Sequence, residues 1–141
     1  VLLYSIIAGA TDTGLKLATW LIDAGSEVTV IDSLEHRCKS VEEKLGSITI
    51  HEDPTVIANL INAGIERADL LLSTLGEDHA NLLISSLAKI IFNTPQVISV
   101  INVPENSNIF SIMGIDESIE IVTLVSENIE EKIADLLIEE V

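Results

Sequence analysis

Short apolar runs alternate with amphipathic segments along the chain. The runs predict strands at Leu2–Ala8, Val28–Ile31, Ile48–Ile50, Leu70–Ser73, Val97–Ile101 and Ser118–Ile121. The segments between them predict helices at Leu15–Ala24, Leu34–Leu45, Thr55–Ala63, His79–Phe92, Glu105–Met113 and from Ser126 onward. Strands that are apolar on both faces, with helices between them, are typical of a parallel sheet covered on both sides. The pattern therefore predicts an α/β fold, a Rossmann-like doubly wound parallel sheet of about six strands with helices on both faces.

The alternation of predicted strands and helices continues through residues 1–141 without a sign of a domain boundary, which predicts a single domain. In its first helix, Trp20 is expected to be a packing residue. The last helix, at about residues 124–141, carries an apolar stripe of Val125, Ile129, Ile133, Leu136, Leu137, Ile138 and Val141. Only part of that stripe can cover the sheet. The remainder predicts either a dimer contact or an ordinary amphipathic helix with a frayed end.

Composition excludes several function classes. The chain has 7 Lys and Arg against 23 Asp and Glu, a net charge of −16, so it lacks the basic surface that nucleic acids or anionic lipids require. No apolar run approaches the ~20 residues that span a bilayer. Cys38 is the single cysteine, which excludes an intrachain disulfide. We therefore expect a soluble domain with no nucleic-acid partner and no direct membrane insertion.

The loop after the first predicted strand is similar to a dinucleotide fingerprint. In the G-x-G-x-x-G pattern, the glycines serve the turn, the approach of phosphate and helix packing. Gly9 and Gly14 occupy the first and third places, and Thr11 occupies the second. Asp32 ends the second predicted strand about 20 residues later, where a carboxylate accepts hydrogen bonds from ribose hydroxyls. This frame predicts a nucleotide site.

The same loop also has a purely structural interpretation. Gly9 then serves only the turn, and Gly14 serves only helix packing. Asp12 is expected to cap the first helix, placing a carboxylate where a pyrophosphate would otherwise bind. Thr11 places a Cβ where the backbone should approach phosphate closely. A working nucleotide site and a decayed one both remain open.

Acidic residues at neighbouring strand ends raise the question of a metal site. Glu52, Asp53, Glu77 and Asp78 could converge there, and such oxygen clusters suit Ca²⁺. The alternative, which we expect, is a solvated acidic rim without a metal. Three histidines lie on different predicted elements and lack metal-ligand spacing: His36, His51 and His79.

Several segments carry a more specific signal: Ile6–Gly14, Val28–Asp32, His51–Thr55, Asn62–Asp69, Glu77–Leu82, Phe92–Pro95 and Met113–Asp116. As a set they resemble the TrkA N-terminal domain, also called the RCK or KTN domain, which regulates potassium channels and transporters. The resemblance covers nearly the whole chain. It implies a regulatory domain that is not an enzyme and that is cytoplasmic and peripheral to the membrane. The partners it implies are a membrane potassium transporter or channel subunit and further copies of the chain, as a homodimer or higher homo-oligomer.

The family usually carries a second small domain after this one. Because that domain does not follow here and the sequence begins at Val1 rather than at Met, we expect an excised segment or a single-domain member.

The resemblance also implies a ligand and its site. In the family, the loop that matches Gly9, Ala10, Thr11, Asp12, Thr13 and Gly14 holds the phosphates of NAD(H) or of an adenine nucleotide (ATP, ADP or AMP). The residue matching Asp32 holds the ribose, and Ser33 follows it near the same sugar. Asp53, in a turn with Pro54, approaches the adenine. The end of the fourth strand lines the cleft with Ser73, Thr74 and Leu75.

Four positions depart from the family pattern. Thr11 and Glu52 replace glycines, Asp12 stands where many members have a neutral or basic residue, and Val100 stands where many have an arginine near the ligand. Each change removes space or positive charge, which predicts a weakened phosphate site. Two alternative functions follow: the cofactor domain of an NAD-dependent oxidoreductase, or an interaction subunit with an empty cleft. Against the oxidoreductase, the chain is too short for a substrate domain and has no Tyr-x-x-x-Lys pair.

Overall fold

The computed structural model describes residues 2–139 and contains a six-stranded parallel sheet. Its strands are β1 (Tyr4–Ala8), β2 (Glu27–Asp32), β3 (Thr49–His51), β4 (Leu70–Ser73), β5 (Gln96–Ile101) and β6 (Glu117–Glu120). They lie in the order β3-β2-β1-β4-β5-β6, and every neighbouring pair is parallel. The strand order therefore reverses at β1, which makes the β1 and β4 ends the switch point of the sheet.

Helices connect the strands in the predicted alternation. They are α1 (Asp12–Asp23), α2 (Glu35–Leu45), α3 (Ile57–Asn62), α4 (Asp78–Ser86), α5 (Ser107–Ile112) and α6 (Ile121–Glu139). A π-helical turn, Leu87–Ile91, continues α4, and short 3₁₀ turns at Ile65–Arg67 and Pro104–Asn106 precede β4 and α5.

Two apolar layers cover the faces of the sheet. On one face, Ala18 and Leu21 of α1 and Val41 of α2 pack against Ile7 and Val30. On the other face, side chains of α3, α4 and α5 pack against β1, β4 and β5, with Leu60, Ile84, Phe110, Ile6 and Leu71 fully or almost fully buried. The predicted Rossmann-like doubly wound fold with helices on both faces is confirmed.

The register of the strands sets the position of the site. Ala8 pairs with Ile31 of β2 on one side and with Ser73 of β4 on the other. The last residues of β1 and β4 are therefore level, and Asp32, the last residue of β2, lies one position beyond them. This brings the loop that begins at Gly9 against the end of β2 and against Thr74, the residue after β4.

The structure corrects three details of the prediction. Helix α1 begins at Asp12, before the predicted start at Leu15, and α6 begins at Ile121 rather than at Ser126. The β-branched residues at the start of α6 favour a strand pattern, which concealed the helical continuation directly after β6. Trp20, expected to be a packing residue, is 67% exposed. Val141, the last residue of the predicted stripe, lies outside the described residues. Between residues 2 and 139, no helix combines the length and apolarity needed to cross a bilayer.

Candidate functional site

The two glycines of the β1–α1 loop are required by close contacts. Gly9 has a φ of +119°, and a Cβ at this position would lie 2.5 Å from Oγ1 of Thr74. A Cβ on Gly14 would lie 2.0 Å from the carbonyl oxygen of Gly9. Side chains at these positions would collide with the end of β4 and with the loop itself. Gly9 and Gly14 therefore serve the turn and the helix packing, whatever else the loop does.

Thr11, and not Asp12, is the N-cap of α1. Thr11 is extended (φ −77°, ψ 171°), and its Oγ1 accepts a hydrogen bond of 3.1 Å from the amide of Gly14. The same hydroxyl lies 3.0 Å from Oγ1 of Thr74. Asp12 is the first helical residue and is exposed. The predicted cap at Asp12 is wrong because Thr11 reaches the first turn, but the Asp12 carboxylate still lies at the positive end of the helix dipole.

Asp32 joins the end of β2 to this loop. It is 1% exposed; its Oδ2 accepts a hydrogen bond of 2.8 Å from the amide of Ala10, and its Oδ1 accepts one of 2.8 Å from the amide of Leu34. The guanidinium of Arg37 lies 3.6 Å from Oδ2 and balances the charge. A carboxylate offers about four lone-pair sites, so Asp32 keeps acceptor capacity for a hydroxyl.

A cleft of about 680 Å³ opens at the carboxyl ends of β2, β3 and β4. That volume lies within the ~300–1,000 Å³ typical of small-molecule sites. The cleft brings together five of the predicted site residues: Asp32, Ser33, Asp53, Pro54 and Leu75. It is also lined by Leu34, Arg37, Thr55, Gly76, Glu77, His79, Ala80 and Leu83.

The other predicted site residues lie apart from the cleft lining. Among the residues that the structure describes, Gly9, Ala10, Thr11, Asp12 and Gly14 form the adjoining loop and are not part of that lining. Thr13, Ser73 and Thr74 instead line a second groove of about 330 Å³. This apolar groove lies on the α1 face of the sheet and also contains Trp20 and Val100. Val100, at the position where many members of the family have an arginine near the ligand, therefore belongs to this groove.

Hydrogen bonds fix the β3 side of the cleft. Oδ1 of Asp53 accepts bonds from the amide (2.9 Å) and the hydroxyl (2.7 Å) of Thr55. Nε2 of His51 lies 3.0 Å from the carbonyl oxygen of Ser33, which connects the ends of β3 and β2. The turn is therefore held by contacts within the protein itself.

A buried polar network holds the β4 side of the cleft. Asn81 accepts a hydrogen bond of 3.0 Å from the amide of Leu75 and donates one of 2.8 Å to its carbonyl oxygen. Asp78 accepts bonds of 2.7 Å from the amide of Asn102, 2.8 Å from that of Val103 and 2.9 Å from the side chain of Asn106. Together, Asn81 and Asp78 position the cleft wall relative to the end of β5.

The hydrogen bonds also determine the ionisation of Asp78. Burial alone would raise its pKa, but the donors from Asn102, Asn106 and Val103 outweigh burial and hold the pKa below its ordinary value. The sequence offered one signal of this network, the Asp-x-x-Asn spacing of Asp78 and Asn81. The partners of Asp78 lie more than 20 residues away in sequence, so the spacing does not reveal them. Arg37 is a second functional candidate that the sequence analysis missed, because it belongs to a highly charged helix.

The acidic residues at the strand ends have separate partners. Asp78 belongs to the network with Asn102, Asp53 closes its turn with Thr55, and Glu77 lies 3.0 Å from Nε2 of His79. In the described part of the chain, no group of three or more His, Cys, Asp or Glu side chains could hold a metal ion. Asp78, Asp53 and Glu77 thus each make polar contacts with different residues.

The cleft combines a carboxylate with apolar surface. Asp32 stands at the end of the second strand, where a carboxylate in this type of fold can accept hydrogen bonds from hydroxyl groups. Pro54, Leu75 and Leu83 provide apolar surface against which a base can pack. Small-molecule sites commonly combine such apolar walls with a few polar groups that fix orientation.

Comparison with known proteins identifies relatives by sequence. The model of the TrkA-N domain matches residues 5–121. The Trk system potassium uptake protein TrkA homolog of Methanothermobacter thermautotrophicus is 31% identical over 141 residues, covering 96% of this chain and 65% of that protein. The homolog of Pyrococcus abyssi is 31% identical over 103 residues, covering 73% of this chain and 44% of that protein. The chain thus spans less than two thirds of the length of these relatives.

Solved structures share the fold at low sequence identity. The TrkA-N domain of the inner membrane protein ybaL from Escherichia coli has a TM-score of 0.83 at 14% identity, covering 93% of this chain and 96% of that chain. The Shewanella denitrificans Kef CTD in AMP-bound form has a TM-score of 0.80 at 17% identity, covering 95% and 80%. The GsuK channel bound to NAD has a TM-score of 0.74 at 17% identity, covering 84% and 21%. With the family model matching residues 5–121, the chain belongs to the TrkA-N domain family.

Proposed function

We propose that this chain is a regulatory, nucleotide-sensing domain of a potassium uptake or channel system, and that its ligand is NAD(H) or an adenine nucleotide. The observation that carries the proposal is the cleft at the ends of β2, β3 and β4, which gathers Asp32, Ser33, Asp53, Pro54 and Leu75. The names of the TrkA relatives support the link to potassium uptake. AMP and NAD in the names of structural relatives support the ligand class.

In this proposal the ribose, base and phosphate of the ligand each lie at the end of a different strand or loop. Asp32 and Ser33 hold the ribose. Asp53 and Pro54 approach the base from the β3 side, and Leu75 covers it from the β4 side. The six loop residues, Gly9 to Gly14, lie at the phosphate end. Binding then connects the β2, β3 and β4 ends, and the sensing role requires no catalytic step.

A membrane potassium transporter or channel subunit is the proposed regulated partner, which would hold the chain in the cytoplasm at the membrane. A homodimer is the proposed form of the chain. Helix α6 supports it, because a row of apolar side chains on it is exposed, among them Ile129 (52%) and Leu136 (62%). Exposed apolar patches of this kind mark interaction surfaces.

Calorimetric titration of the 141-residue chain with NADH, ATP, ADP and AMP tests the ligand. Ala80 lines the cleft without being fully buried, so Ala80→Trp should fill the cleft and weaken binding at least about tenfold. Glu43→Ala, on the exposed face of α2, is the matched control and should leave affinity unchanged. Absence of binding at millimolar nucleotide would favour an interaction subunit with an empty cleft. Oxidation of NADH coupled to a substrate would favour the oxidoreductase alternative.

A further inference from the structure

Several amides of the β1–α1 loop and of the first turn of α1 donate into the protein. Four amides in the loop and the first helical turn already have acceptors: Gly9 donates to the carbonyl of Ile31 (2.9 Å), Ala10 to Asp32 (2.8 Å), Gly14 to Oγ1 of Thr11 (3.1 Å) and Leu15 to the carbonyl of Thr11 (2.8 Å). Phosphate binding at a helix N-terminus depends on amides that face the ligand. The amides of Gly9, Ala10 and Gly14 are therefore committed to the protein, which leaves the first amides of α1, those of Asp12 and Thr13, as donors that face outward.

The Thr11 hydroxyl takes up a donor that a phosphate oxygen could otherwise use. It accepts from the amide of Gly14 and contacts Oγ1 of Thr74 at 3.0 Å. Thr74 lies in turn 3.2 Å from the carbonyl oxygen of Gly9. Because the hydroxyl is held from both sides, a phosphate could displace it only by breaking the helix cap and the contact with β4.

The charge nearest the helix start acts in the same direction. The first turn of α1 contains Asp12, and the first cation of the helix, the exposed Lys16, lies one turn further on. A carboxylate at the positive end of the dipole repels an incoming phosphate. The cation in the cleft lining, Arg37, lies beside Asp32 at 3.6 Å, on the β2 side.

We infer that the cleft recognises the nucleoside end of its ligand and that phosphate groups contribute little to affinity. The ligand class is an adenine nucleoside or nucleoside monophosphate rather than a dinucleotide. This inference rests on the proposed function, since it concerns the same cleft. The acceptor Asp32 and the apolar walls formed by Pro54, Leu75 and Leu83 supply the contacts, while the loop supplies few.

The test is a series of titrations with adenosine, AMP, ADP and NADH at one salt concentration. For the native chain, the dissociation constants of adenosine, AMP and ADP should agree within about threefold, and NADH should bind no more tightly than adenosine. Thr11→Gly releases the amide of Gly14 and should tighten AMP, ADP and NADH by about tenfold, the scale of a hydrogen bond to a charged group. Adenosine should be unaffected. Thr11→Ser keeps the hydroxyl and should behave like the native chain.

A second variant keeps the test decisive if Thr11→Gly fails to fold. Asp12→Ser removes the like charge without removing the cap, so it should tighten AMP and ADP relative to adenosine. Two results overturn the inference and leave the proposed function standing: native binding of ADP or NADH more than tenfold tighter than adenosine, or equal gains for adenosine and AMP in the variants. If none of the four compounds binds, the proposed function itself fails, and the inference fails with it.

Discussion

The backbone amide of Ala10 donates a hydrogen bond of 2.8 Å to Oδ2 of Asp32, joining the loop after β1 to the last residue of β2. The other carboxylate oxygen accepts from the amide of Leu34 at 2.8 Å. Asp32 thus links the loop after β1 to the end of β2, and it is also the proposed ribose acceptor. Stability and ligand affinity should therefore depend on the same side chain.

Asp32→Ala should lower both the stability of the domain and its affinity for AMP. Losing the acceptor leaves the amides of Ala10 and Leu34 without their partner, which should reduce the free energy of unfolding by about 1–3 kcal/mol. AMP affinity should fall by about 1–3 kcal/mol in addition, since a charged acceptor for the ribose is lost. Urea denaturation and calorimetry on the same preparations separate the two effects. Asp32→Asn keeps one acceptor and should lose less stability. A folded Asp32→Ala variant with native affinity would remove Asp32 from the site.

Because of Asp78, the stability of the domain should fall as the pH becomes acidic. Its pKa in the folded chain is held below the ordinary value, so its contribution is fully present above the unfolded pKa and is lost as pH falls through the lowered folded pKa. Asp78→Asn should cost about 1–3 kcal/mol at pH 7. The difference in free energy of unfolding between Asp78→Asn and the native chain should become smaller below about pH 4.

Urea unfolding at pH 7, 5 and 3.5 measures this dependence. Asp135→Asn, on the exposed surface of α6, is the control and should follow the native curve. A difference between native and Asp78→Asn that stays constant over the whole pH range would show that the carboxylate charge does not stabilise the network.

Gly14→Ala should destabilise the domain strongly. The added Cβ would lie 2.0 Å from the Gly9 carbonyl oxygen, and a backbone atom cannot move aside as a flexible side chain can. We expect a loss of at least about 2 kcal/mol, the scale of overpacking in a tight contact. Gly76→Ala is the matched control, because no heavy atom lies within 4 Å of its Cβ position, and it should stay within about 0.5 kcal/mol of native. Equal melting temperatures for the two variants would contradict this packing.

The exposed stripe of α6 should be a dimer contact. Ile129 and Ile133 lie one helical turn apart, and both are exposed. Replacing both with Asp should shift the chain from dimer to monomer in sedimentation velocity, because buried unpaired carboxylates oppose association. Glu130→Gln, on the same helix, should leave the dimer intact. A native chain that is monomeric at high concentration would show that α6 does not serve this purpose.

The fold followed from the sequence because nearly every strand is an apolar run bounded by turn residues. An apolar run of this type indicates a strand that is buried on both faces of the sheet, and this inference does not depend on how the individual helices pack. The start of α6 was misplaced because Ile121 and Val122 favour a strand by local propensity, whereas β6 ends at Glu120. Trp20 was expected to be a packing residue from its residue type, but its side chain is largely exposed.

The site was only partly predictable. Asp32 was predicted from its position at the end of the second strand and Asp53 from the resemblance of its turn to that of the family, and both line the cleft. The helix cap is a local bond between Thr11 and the amide of Gly14, and local preference alone does not separate Thr11 from Asp12 as the cap. The Asp78 network depends on Asn102, which is distant in sequence. Periodicity and spacing carry no information on such contacts.

The central claim, that the cleft at the ends of β2, β3 and β4 binds an adenine nucleotide, is tested most directly by an NMR titration of the ¹⁵N-labelled chain with AMP. The account predicts saturable shifts of the Ser33, Thr55 and Gly76 amides, which line the cleft, and an unchanged indole signal of Trp20, which lies in the other groove. Shifts centred on Trp20, or no shift anywhere at millimolar AMP, would contradict it.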